Sequence, residues 1–169
     1  MTLFVPFDGS ELAEAALVRA TEFGNVFEED VLAVSVIPDG NEDYARERDW
    51  IGQDEEFDLR SVVSTLHTQV TDVCPSADFR HKVVDRHAPP GTIASRLRKV
   101  AKDEDISMAF IGSENAGHIV TAISSVGGSV AIDGSYDVVI VRDRTPAKIA
   151  KLRNASPHER PKSDFYLPE

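Results

Sequence analysis

Hydrophobic positions follow two alternating rhythms along this chain. Nearly continuous apolar runs occupy residues 2–7, 31–37, 106–111 and 136–141, the pattern of strands buried on both faces of a parallel sheet. Residues 79–84 differ, because charged Arg80 and Lys82 interrupt the apolar positions, as in a half-exposed edge strand. Between these runs the spacing changes to three and four. Leu12, Ala16, Ala20 and Phe23 form one helical stripe after Ser10, a natural N-cap, and Gly24-Asn25 reads as its stop signal. Leu59, Val62, Val63, Leu66, Val70 and Val73 form a second, preceded by acids suited to a helix N-terminus and ended by Pro75. After a turn at His87-Ala88-Pro89-Pro90-Gly91, Ile93, Leu97, Val100 and Ala101 form a third. A fourth helix is expected from about Gly117 to Ile132. The resulting order, β-α-β-α-β-α-β-α-β, predicts an α/β fold: an open parallel sheet of five strands with right-handed crossovers and helices on both faces.

Residues 39–56 break the pattern. They are dense in charge and hold Tyr44 and the only tryptophan, Trp50. A lid over a ligand and a solvated helix or loop whose aromatics dock on the body both fit that composition. Residues 145–169 also stand apart. They carry five Lys/Arg and three Asp/Glu, a net of +2 that leaves −13 on residues 1–144. The chain therefore divides into a domain over 1–144 and a basic C-terminal extension over 145–169, either a disordered tail or an arm laid on an acidic body.

The net charge of −11, from 29 acids and 18 bases, argues against nucleic acid as a partner, since such binding rests on neutralising phosphates. With twelve Arg but only six Lys, an acidic, lysine-poor surface also fits a protein kept in solution at high salt. No apolar run reaches the roughly 18–20 residues of a membrane span. The first residues carry no basic stretch of the secretory kind. The single Cys74 makes no internal disulfide, which fits a reducing cytoplasm; no basic neighbour activates it, so it reads as a small core residue. The five histidines lack metal-ligand spacing.

The chemistry centres on Phe110-Ile111-Gly112-Ser113-Glu114-Asn115-Ala116-Gly117-His118, with Gly127-Gly128-Ser129-Val130 farther on. A strand that ends in a glycine turn before a helix presents free N–H groups, a setting that favours anions. Together with Phe4-Val5-Pro6-Phe7-Asp8-Gly9-Ser10-Glu11, these motifs resemble the universal stress protein (UspA) family over about residues 2–142. That resemblance implies strand order 3-2-1-4-5 and a homodimer paired through the fifth strand, from Tyr136 to Val141. It further implies a cytoplasmic stress-response protein, nucleotide-binding or a degenerate non-binding variant, acting through dimerisation and partner docking; no nucleophile–base–orienter set is visible in the sequence, so no enzyme is expected. In nucleotide-binding members it implies that Asp8 accepts hydrogen bonds from ribose, Val36 lines the adenine pocket, and Ile111 and Gly112 pass beneath base and sugar. Gly117, Gly128, Ser129 and Val130 would meet the phosphates of ATP, with Mg²⁺ accompanying it.

The spacing departs from the family pattern of Gly, two residues, Gly, nine residues, Gly-Ser. Here four residues separate Gly112 from Gly117, and ten separate Gly117 from Gly128. Glu114 also adds a carboxylate beside the phosphate position, which requires a cation such as Mg²⁺ or an orientation toward solvent. Structural roles compete at each site: Asp8 as a helix cap, Gly127 and Gly128 as close-packing residues, His118 as a surface residue. Two other readings of the same alternation of strands and helices are a receiver-like signalling domain, also doubly wound, and an ATP-hydrolysing enzyme of related fold. The sequence lacks an acidic pair after strand 1 and a Lys ending strand 5, and it lacks a Ser-Gly-Gly-x-Asp-Ser or His-x-Gly-His signature.

Overall fold

The computed structural model describes residues 1–89, 91–112 and 134–143. The expected helix over 117–132 and the extension over 145–169 lie outside the described residues. The elements are β1 (Thr2–Pro6), α1 (Glu11–Phe27), β2 (Asp30–Pro38), α2 (Glu42–Glu47), α3 (Leu59–Val73), β3 (Asp78–Val84), α4 (Gly91–Asp103), β4 (Ile106–Gly112) and β5 (Asp137–Val141). The five strands are all parallel, in the order β3-β2-β1-β4-β5. The order differs from the 2-1-3-4-5 arrangement of receiver domains, which removes that alternative.

Burial follows the apolar runs. In β2 every residue after Asp30 is buried, and β1 is buried over Leu3, Phe4 and Val5. At the edge, β3 exposes Arg80 and Lys82, as expected of a half-exposed edge strand, and also His81 and Val83, which strict alternation would turn inward. Leu3, Val5, Phe7 and Ile37 pack on one face against α1 and α3; Phe4, Val34, Val36 and Ile111 pack on the other against α4. Adjacent residues reach opposite layers because side chains alternate across a strand. Cys74 is buried beside the first layer, as expected of a small core residue.

One sequence expectation requires correction. Gly24 does not end α1, which continues to Phe27 and closes through Glu28 in the left-handed region at φ 58°. Gly24 is there because the chain doubles back over it. The Glu29 amide donates to the Gly24 carbonyl at 3.1 Å, and a Cβ at 24 would stand 2.8 Å from the Glu29 carbonyl oxygen. The glycine signal was real, but its cause is packing under the α1–β2 turn.

The charged segment resolves into α2, capped by Asn41, and a loop that returns Trp50 and Ile51 to the core. Its aromatics dock on the body, as one of the two sequence readings expected. Farther on, Asp58 caps α3, accepting from the Ser61 amide at 3.1 Å and the Ser61 hydroxyl at 2.6 Å.

Two predictions follow from these local arrangements. Gly24→Ala should gain roughly 0.5–1 kcal/mol from helix propensity but lose about 1–3 kcal/mol to overpacking. The expected net result in urea denaturation is a loss, and a net gain would show that the Glu29 carbonyl gives way. The bonds from Ser61 hold the Asp58 carboxyl below its usual range. A folded value below the unfolded one, near ~3.9, stabilises fully above the unfolded value and is lost as pH falls through the folded one. The stability gap between wild type and Asp58→Ala should therefore shrink between about pH 6 and about pH 2; a constant gap would mean that the neutral carboxyl caps equally well.

Candidate functional site

In an open α/β sheet the crevice lies beyond the carboxyl ends of the strands, where the chain's direction of winding reverses. Here that point falls between β1 and β4. The two strands pair through Leu3–Met108 and Phe4–Ala109, with a register shift after Thr2. Ser107 sits at that irregularity, its hydroxyl donating to Glu29 Oε2 at 2.7 Å.

Asp8 follows the end of β1 and is half-buried. Its Oδ1 accepts the Ser10 amide at 3.0 Å, and Ser10 Oγ in turn accepts the Ala13 amide at 3.2 Å to cap α1. The structural reading of Asp8 is met in part: its carboxylate shapes the turn, while Ser10 is the cap itself. One carboxylate oxygen shapes the turn before α1, while the other takes no hydrogen bond among the described residues.

Gly112 ends β4 beside the start of α1. A Cβ built there would lie 2.1 Å from the Leu12 carbonyl oxygen and 2.8 Å from the Ala13 nitrogen, contacts no real side chain makes. The bare main chain at 112 is therefore required by helix–strand packing, whatever else it serves. It also brings Gly112 next to the capped turn that carries Asp8, so residues a hundred apart in sequence meet at one crevice.

Val36 and Ile111 are both buried and share the core layer under α4. The fold thus gathers Asp8, Val36, Ile111 and Gly112 around the carboxyl ends of β2, β1 and β4. Gly117, Gly128, Ser129 and Val130, like Glu114 and His118, lie outside the described residues.

Two hydrogen bonds of the site had no reading in the sequence. Ser35, the one fully buried polar side chain among the described residues, donates its hydroxyl to the Phe7 carbonyl at 2.5 Å. Trp50 donates its indole N–H to the Asp8 carbonyl at 2.7 Å. Behind Trp50, the Tyr44 ring packs edge-on at 5.5 Å, and the Arg48 guanidinium lies 3.4 Å from the Tyr44 ring centre. Burial pushes the Tyr44 phenol up, opposed by the charge of Arg48. Nothing in the local sequence marks position 50 as a contact of position 8, because the pair is 42 residues apart and belongs to different elements.

Beyond the ends of β2 and β3 lies an open cleft of about 620 Å³ lined by Asp39, Gly40, Val83, Val84, Asp85, Arg86 and His87. The Asn41 amide donates to the Arg86 carbonyl at 3.0 Å at its rim. Among the described residues no helix is long and apolar enough to cross a membrane, and no group of three or more His, Cys, Asp or Glu is placed to hold a metal.

Known proteins supply the remaining comparison. A search of curated proteins finds no significant match. Among solved structures, a universal stress protein in complex with cAMP superposes with a TM-score of 0.55 at 16% identity, covering 84% of this chain and 97% of that one. The universal stress protein UspA from Lactobacillus plantarum gives 0.54 at 14% identity, with coverages of 84% and 97%. A universal stress protein from Archaeoglobus fulgidus in complex with dAMP gives 0.50 at 16% identity, with coverages of 83% and 96%. At such identities these likenesses establish the fold. The family assignment comes from the sequence pattern itself, since the model of the universal stress protein family matches residues 1–142. That span runs from β1 through β5 and contains both halves of the crevice, and so this chain belongs to the universal stress protein family.

Proposed function

We propose that this chain is a cytoplasmic, non-enzymatic member of its family that binds an adenine nucleotide at the β1–β4 crevice and acts by docking partners as a homodimer. The observation that carries this reading is the convergence of Asp8 and Gly112 on neighbouring strand ends. Asp8 offers an acceptor for ribose hydroxyls, and a charge-assisted bond of that kind contributes about 1.5–3 kcal/mol. Gly112 offers main chain with no side chain to block a ligand. The solved relatives bound to cAMP and dAMP support the adenine part of the reading.

Gly117, Gly128, Ser129 and Val130 are proposed as the phosphate contacts, on the resemblance alone. The shifted glycine spacing and Glu114 make each added phosphate harder to accommodate without a cation. Mg²⁺ is accordingly proposed to accompany ATP and to matter less for AMP. Pairing of a second copy along β5, the outermost strand beyond β4 among the described residues, would complete the homodimer. Docking of the basic 145–169 extension on an acidic body belongs to the same proposal, as does adaptation of the acidic surface to high salt.

Calorimetric titration with AMP, and with ATP in the presence and absence of Mg²⁺, tests the site. Binding is expected for AMP regardless of Mg²⁺ and for ATP chiefly with it, without release of ADP. Asp8→Ala should weaken AMP binding by roughly 10–100-fold, the equilibrium equivalent of one lost charge-assisted hydrogen bond. Absence of heat and of any nucleotide-dependent rise in melting temperature would overturn the nucleotide reading. Steady ADP release would overturn the non-enzymatic part and favour an ATP-hydrolysing protein.

A further inference from the structure

The turn from β1 to α1 carries the one proposed ligand-binding carboxylate in the described residues, and its main chain is tied from outside the turn at two successive carbonyls. Phe7 O accepts the Ser35 hydroxyl from β2 at 2.5 Å, which lies within the sheet and is a local matter. Asp8 O accepts the Trp50 indole at 2.7 Å, and Trp50 belongs to the separate segment between β2 and α3. Gly9 follows at φ +80°, a conformation that favours glycine. Beneath it the space is closed. A Cβ at position 9 would lie 2.7 Å from Gln69 Oε1, 3.3 Å from Leu66 Cδ2 and 3.5 Å from Trp50 Nε1.

The indole is well placed to transmit position. Trp50 is 6% exposed, and its ring is held edge-on by Tyr44, itself covered by the Arg48 guanidinium. A buried indole has one donor and no acceptor, so its only polar group is spent on this carbonyl. Rotating the Asp8 peptide would strand that donor, which is costly away from water. That carbonyl carbon is bonded to the Asp8 Cα, so a held carbonyl anchors the carbon from which the carboxylate projects.

We propose that Trp50 is a positioning residue of the crevice: through its hydrogen bond to the Asp8 carbonyl, the segment between β2 and α3 sets the aim of the Asp8 carboxylate. The affinity consequence rests on the nucleotide reading above; the structural consequence does not. The charged insert is thereby a strut of the site, and a change in α2 or its loop is felt at Asp8.

Trp50→Phe keeps the ring and removes the donor. By NMR-detected hydrogen exchange, the Ala13 and Glu14 amides, which report the cap set by Ser10, should exchange about five- to tenfold faster, the equilibrium worth of one hydrogen bond. The Val100 and Ala101 amides in α4 should keep their wild-type rates. AMP affinity should fall by a similar factor. Unchanged exchange at Ala13 and Glu14 overturns the proposal, and so does weaker AMP binding without that change, because the indole would then be touching ligand directly. If Trp50→Phe does not fold, the wild type decides. Its single indole N–H signal should exchange slowly with solvent and shift when AMP is added; a rapidly exchanging indole overturns the strut. Failure of the wild type to bind AMP overturns the nucleotide reading alone, while the exchange rates still decide whether Trp50 holds the turn.

Discussion

The close approach of the end of β4 to the first turn of α1 governs the arrangement at the crevice. With the Leu12 carbonyl 2.1 Å from where a Cβ would stand at position 112, only glycine lets these two main chains meet. Their meeting puts the start of α1 and the end of β4 side by side, and the capped turn that carries Asp8 comes with it. A larger residue would drive helix and strand apart, in a core where β1 and β4 have no slack. The glycine therefore has a packing reason independent of any ligand, and its presence alone is no signal of phosphate binding.

The same economy of contact recurs around the turn after β1. Four groups in and after that turn have partners: Ser35 for the Phe7 carbonyl, Trp50 for the Asp8 carbonyl, Asp8 itself for the Ser10 amide, and Ser10 for the Ala13 amide. Unpaired main-chain groups this close to the core would be costly. The outcome is a turn whose carboxylate projects from a tethered frame, a prerequisite for recognising a small polar ligand with few contacts. By contrast ion pairs among the described residues such as Arg19–Glu22 and Arg46–Glu42 lie at least partly in solvent and contribute little to holding the fold. The heavy acidic excess is thus a property of the surface, and the architecture is set by packing.

Several features were already legible in the order of residues. Continuous apolar runs marked β1, β2 and β4 because a strand covered by helices on both sides has no polar face to show, and interruption by Arg80 and Lys82 marked β3 as an edge. The stripe from Leu59 to Val73 and its stop at Pro75 located α3, since helical spacing and a proline carry local information. Alternation of strands and helices determined a parallel α/β sheet. Strand order, however, came from the likeness to a known family; periodicity says nothing about which neighbour a strand chooses. Asp8 and Gly112 were singled out as residues, but their nearness depended on that order.

The tertiary structure alone decided the rest. Gly24 reads locally as the end of α1, yet the helix passes through it, because the glycine is needed where β2 turns back over the helix. The charge-rich stretch reads locally as a lid or as a solvated element whose aromatics dock on the body, and Trp50 does dock; that it bonds to Asp8 is a contact between segments that no spacing rule connects. Local patterns record what each segment needs in isolation: a buried face, a cap, a stop. Which atoms of distant segments meet is settled only when helices and strands compete for the same space, and at this crevice that competition assigned Gly112 to α1 and the Asp8 carbonyl to Trp50.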